Sequence, residues 1–262
     1  MARYIILIVF ALGFINAKAS ESSLVEQADS AYIQEKYKLA VELYQQAAQK
    51  DGVSSNLYYN LGNAYYRIGN IAQSILAYER ALRLNPSNED ARSNLEFVNS
   101  RIVDKKGETG SFISNSINYI ANWFHSNTWS WMAFTLFVLT ILALSVYKFT
   151  TPILLKKIGF FGGILLLIMT IGAVFFSFKS KNIATDNNEA IVTAKATVLS
   201  TVPRKPLSRD EEAMLLHEGT KVRIMRSINL SSDSINQSWH EVEVDNRHRA
   251  WINNSDIEKI IP

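Results

Sequence analysis

The chain has 262 residues, 48% hydrophobic and 19% charged, with a formal charge of +3 and no cysteine. So small a charge gives no reason to expect a nucleic-acid partner, and the missing cysteines exclude disulfides, zinc–thiolate sites and thiol nucleophiles. Apolar residues crowd the extreme N-terminus and the stretch from Trp129 to Phe178, so a single compact soluble domain is not expected.

Arg3, the apolar run Ile5 to Ile15 and the triplet Ala17-Lys18-Ala19 follow the order of a secretory signal, with cleavage before Ser20. Residues 1–19 are therefore expected to be removed. A run this short does not cross about 30 Å of hydrocarbon.

Beyond it, an offset of 34 residues aligns Ala28 with Gly62, Tyr32 with Tyr66, Ala40 with Ser74, Tyr44 with Tyr78, Ala47 with Ala81 and Gly52 with Pro86. The small residues predict close approach of two helices within each copy, and the Tyr and Ala pairs predict the seam with the next helix. The second copy, Leu57 to Pro86, resembles the tetratricopeptide repeat (TPR) at Leu61-Gly62, Tyr65, Gly69, Tyr78, Ala81 and Pro86. The first is more degenerate, with Gln27 and Ala31 where Leu61 and Tyr65 fall. A further helix from Asn88 to about Val103 repeats Asn60-Leu61 as Asn94-Leu95 and stops, as a cap does. Residues 20–103 thus read as two repeats and a cap, a short solenoid that calls for a packing partner.

The resemblance implies a concave groove lined by the first helix of each pair. At those positions stand Asp29, Tyr59, Asn60, Asn63, Arg67, Asn94 and Arg101, the candidate peptide contacts. The lysines of the carboxylate-clamp subtype are not matched. The alternative is that these residues are solvated helix surface.

Asp104 to Ser111 is charged and glycine-containing, as a hinge is. Phe112, Ile113, Ile117, Ile120, Trp123 and Phe124 then recur at helical spacing, so residues 104–128 are expected to hold a linker and an amphipathic helix at a membrane interface or against the repeats. Residues 129–147 and 158–178 carry no charge and are each long enough to span a bilayer as a helix. Lys148, Lys156 and Lys157 place the intervening loop, 148–157, in the cytoplasm, opposed by Lys179 and Lys181 at the far end. With the exported N-terminus, this puts 20–128 and 179–262 on the non-cytoplasmic side of an inner membrane, with Trp123, Trp129 and Trp131 as an aromatic belt.

After a linker, 179–188, the pattern changes to short strands: 190–200, 220–227, 238–244 and 249–252, with a turn at Asp245-Asn246. The order Leu216 to Val222, Trp239, Ala250-Trp251-Ile252 and a polar turn at 253–256 resembles bacterial SH3 domains, apart from Ala250 where glycine is usual. A small all-β SH3-like barrel over 189–262 is the expectation. Trp239 and Trp251 are either a ligand groove for peptide or peptidoglycan or the large residues that a small core needs. His217, with no second ligand at metal spacing, reads as structural.

No nucleophile elbow, zinc-protease, P-loop or dinucleotide motif appears, so binding rather than catalysis is expected, with no cofactor. The whole order of signal, repeats, two adjacent spans and terminal SH3-like domain resembles the BatE-like proteins of the bacterial aerotolerance (Bat) system. That resemblance implies von Willebrand factor A-type membrane proteins and a MoxR-type AAA+ ATPase as partners and a role in oxygen or stress tolerance. Two rivals stand beside this adaptor: a peptidoglycan-binding envelope sensor and an assembly chaperone for exported proteins.

Overall fold

A computed structural model describes residues 23–104, 111–232 and 235–261. The expected signal peptide, 1–19, and the hinge residues 105–110 lie outside them. The first half is helical: α1 (Leu24–Ile33), α2 (Tyr37–Lys50), α3 (Ser55–Arg67), α4 (Ile71–Leu84) and α5 (Glu89–Asn99). Each first helix starts on a side-chain cap. Ser23 forms a capping box with Glu26, and Ser54 and Asn88 accept from Leu57 N and Ala91 N, so orphan amide groups are satisfied locally.

The helices stack as the 34-residue period requires. Ala28, Ala40 and Ser74 are fully buried, and a Cβ added to Gly62 would lie 2.6 Å from the Tyr78 ring. Only glycine permits that approach of α3 to α4. The turn between paired helices needs a left-handed residue, which the second repeat supplies as Gly69 (φ 78°) and the first as Glu35 (φ 59°).

α6 (Phe112–Ala121) leads into α7 (Ser126–Phe149) and α8 (Ile153–Ala184), an antiparallel hairpin. The last two are long and apolar enough to cross a membrane, and only 11% and 22% of their most apolar windows are buried within the structure. A 24-residue and a 32-residue helix are about 36 and 48 Å long. Both outrun the expected 129–147 and 158–178, and the expected loop of 148–157 shrinks to Thr150–Pro152. The physical reason is that hydropathy marks a membrane's thickness, whereas Lys148, Lys156 and Lys157 are compatible with helix and extend it. The hairpin is tightest where a Cβ on Gly159 would meet Tyr147 N at 2.6 Å and Ala143 O at 2.7 Å. At its other end Trp129 stacks on Phe176 at 5.0 Å and donates to Ala121 O, so it is buried rather than part of an interfacial belt.

The C-terminal part is one seven-stranded antiparallel sheet: β1 (Glu189–Val192), β2 (Ala196–Ser200), β3 (Glu212–His217), β4 (Lys221–Ser232), β5 (Ile235–Glu243), β6 (Arg249–Asn253) and β7 (Ile257–Lys259). The ladder order is β3-β2-β6-β5-β4-β1-β7, and its end strands β3 and β7 are not paired with each other. The expected closed barrel is thus not what the ladder shows: β7 turns its free edge to α4 instead. Leu199, Val222, Val242, Ala250 and Ile252 form the core on one sheet face.

The sheet is seated on α4. Ile191 and Ile260 belong to the same buried cluster as Ile75, Leu76, Tyr78 and Val98, so β1 and the residue that follows β7 complete the core of the second repeat. The turn between β3 and β4 brings Gly219 (φ 88°) so close that a Cβ there would meet Ile75 Cδ1 at 2.8 Å and Ile102 Cγ2 at 2.9 Å.

Two expectations follow for the detergent-solubilised full-length protein. Glu35→Gly relieves a left-handed side chain and raises the helical melting temperature, by about 1 kcal/mol of stability. Gly219→Val forces the turn off α4, so hydrogen exchange of 71–84 and 189–192 rises together while β5 and β6, which that turn does not join, stay protected.

Candidate partner-binding groove

The concave side of the repeats is lined by α1, α3 and α5, and the expected site residues meet there in a repeating pattern. Tyr44 donates to Asp29, and Asn60 Nδ2 donates to the same Asp29 Oδ1 at 3.2 Å. One period on, Tyr78 donates to Asn63 Oδ1 at 2.6 Å and Asn94 Nδ2 to that same oxygen at 2.8 Å. Each acceptor is held by a tyrosine from its own repeat and an asparagine from the next. The ladder therefore sets the stagger of successive first helices as well as the polar floor of the groove. Burial pushes the Tyr44 phenol up, reinforced by Asp29, and burial likewise raises Tyr78 to about 12, so both stay protonated donors.

The rim is cationic and aromatic. Arg67 donates to Tyr37 Oη at 2.6 Å with its guanidinium 4.9 Å from that ring, and Arg101 lies 4.3 Å from the Phe97 ring. Both arginines are exposed. Phe97 meets Tyr66 edge-on at 5.8 Å, and the two enclose, with Tyr32 and Asn94, a groove of about 230 Å³. Of the expected set, Tyr59 packs instead towards Tyr78 at 6.2 Å among partly buried residues beside α4. Tyr32, Tyr66 and Phe97 were not on the expected list. The Tyr32/Tyr66 pair of the 34-residue alignment was a signal for two of them, and nothing in the period marks Phe97.

Trp239 and Trp251 do come together. The register pairs Trp239 with Asn253 and Glu241 with Trp251, so the two indoles share the face of β5 and β6 turned away from Val242 and Ile252. They are 4% and 9% exposed, with Arg226 5.8 Å above the Trp251 ring. A ligand would reach little of either ring without movement. On the opposite face His240 sits between Ser227 Oγ at 2.7 Å and Asn254 Oδ1 at 2.9 Å, a satisfied buried histidine in the middle of a ladder.

A second charged constellation joins the sheet to the convex side of α4. Lys221 Nζ lies 3.0 Å from Glu79 and 2.8 Å from Glu189, Arg83 also pairs with Glu189, and Arg80 pairs with Glu258 at 2.9 Å. Arg80 Nε also donates to Ile260 O at 2.9 Å, which caps the end of β7. Asp104, at the end of the helical cap, accepts from His217 N, His217 Nδ1 and Thr220 Oγ1 at 2.6–2.9 Å. Burial opposes ionisation of Asp104 and Glu189, but those donors at Asp104, and Lys221 with Arg83 at Glu189, outweigh it and hold both carboxyls below their usual range. Burial also disfavours the Lys221 ammonium, yet Glu79 and Glu189 hold it charged above the usual lysine value.

A helical-repeat protein with two long apolar helices and a C-terminal antiparallel sheet is the class that this fold and groove define. The tetratricopeptide repeat model matches residues 55–88, the second repeat. Among curated proteins, a Protein SGT1 homolog from Oryza sativa subsp. japonica is 31% identical over 71 residues, 27% of this chain. The chain covers 19% of that protein's length. A repeat of this kind points to protein–protein interaction.

Depressed carboxyl values stabilise the folded state above the ordinary carboxylate range and cease to do so as pH falls through them; the raised lysine contributes below its ordinary value and is lost only at strongly alkaline pH. Docking of the sheet on α4 is therefore expected to hold through neutrality and loosen below about pH 4. Hydrogen exchange of 71–84 against pH measures it, and Asp104→Asn should remove part of that acid dependence.

Proposed function

We propose that this chain is a membrane-anchored adaptor that docks a segment of a partner protein in its concave repeat groove and performs no chemistry of its own. The observation that carries the reading is the asymmetry of the second repeat. Its convex helix, α4, is occupied by the chain's own sheet, whereas its concave side is open among the described residues, floored by the Asp29–Asn60 and Asn63–Asn94 ladder and rimmed by exposed Arg67 and Arg101. α7 and α8 act as the anchor, with the repeats and the sheet on the extracytoplasmic side.

On the resemblance to BatE-like proteins, the docked partners are von Willebrand factor A-type membrane proteins in a complex served by a MoxR-type AAA+ ATPase, linked to oxidative or envelope stress tolerance. The C-terminal sheet is in this reading an SH3-like module diverged towards an intramolecular role, since β7 and the turn at Gly219 are engaged with α4. Burial of Trp239 and Trp251 weighs against peptidoglycan as its main ligand.

Asn60 is poorly suited as a probe, because removing its amide also breaks the stagger of α1 and α3. Arg67 and Arg101 are exposed and, among the described residues, their guanidinium groups meet rings and a hydroxyl, so Arg67→Ala with Arg101→Ala should leave the melting transition within about 1 kcal/mol of wild type. Affinity purification of tagged full-length protein, followed by mass spectrometry, should then recover partners with wild type and at least about ten-fold less with the double variant, a loss of about 1.4 kcal/mol or more. Equal recovery would move docking away from the groove.

A further inference from the structure

α6 turns an aromatic side away from the protein it belongs to. Its inward side presents Ala121, fully buried and accepting from Trp129 Nε1, Ile120, packed on the cluster around Trp129, and Asn118, whose Oδ1 is buried with no donor among the described residues. Its outward side presents Phe112 (86% exposed), Ile113 (69%) and Tyr119 (64%), with Trp123 (51%) just past its end. A helix that packs on a soluble body turns the apolar face inward. Here Ile120 and Ala121 tie the helix in on one side, and a second, mostly aromatic side is offered to the surroundings.

Those surroundings have a definite chemistry. From Ser111 to Tyr147 the chain has no Asp, Glu, Lys or Arg, so no charged rim separates the face of α6 from the exposed apolar surface of α7 at Trp131 and Phe134. The two surfaces run into one another across the corner at 122–125, where Ser180 donates to Phe124 O at 3.2 Å and Ser87 to Trp123 O at 2.9 Å. Tyrosine and tryptophan at this level suit a headgroup boundary, which accepts an apolar ring beside a polar edge.

We infer that α6 is an interfacial helix lying in the outer headgroup boundary of the bilayer that α7 and α8 cross, its occupant being lipid itself, held by apolar burial and not by charge. This rests on the reading of α7 and α8 as spans. With no basic residue on its face, its depth does not depend on anionic lipid, unlike that of a basic surface helix.

The absence of native cysteine lets a nitroxide be placed at one site at a time. Full-length protein carrying Phe112→Cys, Tyr119→Cys, Phe137→Cys or Phe97→Cys is labelled, reconstituted in phosphatidylcholine vesicles, and probed by collision with oxygen and with a water-soluble nickel chelate. Phe137, exposed on α7, reports the hydrocarbon, and Phe97, exposed on α5, reports water. The expected oxygen-to-nickel ratio at positions 112 and 119 lies between the two, several-fold above that at 97, and is unchanged when anionic lipid is added. Values equal to that at 97 while 137 stays in lipid overturn the inference alone. Water access at 137 overturns the spanning reading and this one together. Shielding from both reagents, with spin–spin broadening that dilution by unlabelled protein removes, identifies a second copy as the occupant and also overturns it.

Discussion

Seating of the sheet on α4 is the contact on which the rest of the architecture depends. Two repeats and a cap are too short to bury their own outer helix, because in a solenoid each unit relies on its neighbour for core. Ile191 and Ile260 supply that neighbour, and Gly219 lets backbone come within contact of Ile75 and Ile102. Burial of apolar side chains drives the association and is indifferent to direction. Register comes from the charges around it: Lys221 between Glu79 and Glu189, Arg80 across the end of β7, Asp104 against the turn after β3. Partly buried ion pairs gain little net energy once desolvation is counted, but leaving one unmatched is costly, so they penalise every other seating more than they reward this one.

That seating also decides which surface remains for a partner. The convex stripe Gln73, Arg80 and Arg83 would be open in an isolated repeat, and here it is committed to Glu258 and Glu189. The concave side is left, with a floor whose donors and acceptors are largely matched among themselves. A ladder so satisfied holds α1, α3 and α5 in fixed stagger, so the groove is formed before any ligand arrives and less ordering entropy is lost on binding.

The repeat period was legible because helix-pair packing repeats the same small residues: Ala28, Gly62, Ala40 and Ser74 are buried where the 34-residue alignment put them. Asp29, Asn60, Asn63 and Asn94 were legible for the same reason, as first-helix positions one turn or one period apart. What the sequence could not show was the use of Arg80, Arg83 and Glu79. Charged residues on the outer face of a second helix look the same whether they meet water or another domain, and their partners at 189, 221 and 258 are more than 100 residues away. The sheet's closure is hidden from the sequence on similar grounds. Alternation in β5 and β6 fixes which residues face the core, but not whether the last strand pairs with another strand or ends against a helix.

The hairpin of α7 and α8 explains how such distant partners find each other. Its antiparallel packing, with Ser130 Oγ 2.8 Å from Ser177 Oγ at one end and Gly159 against Ala143 and Tyr147 at the other, returns the chain to the side from which it left. The segment ending at Asp104 and the strand beginning at Glu189 are therefore delivered to the same end of the hairpin, with the cost of closing an 84-residue loop already met by helix packing. Two bodies held so close meet at an effective concentration on the order of millimolar, which lets an interface of modest area persist. The same logic couples the two halves. A partner docked in the groove as proposed would restrict α3 and α5; α3 packs on α4 and α4 carries the sheet, so whatever orders the repeats also orders the seat of the sheet.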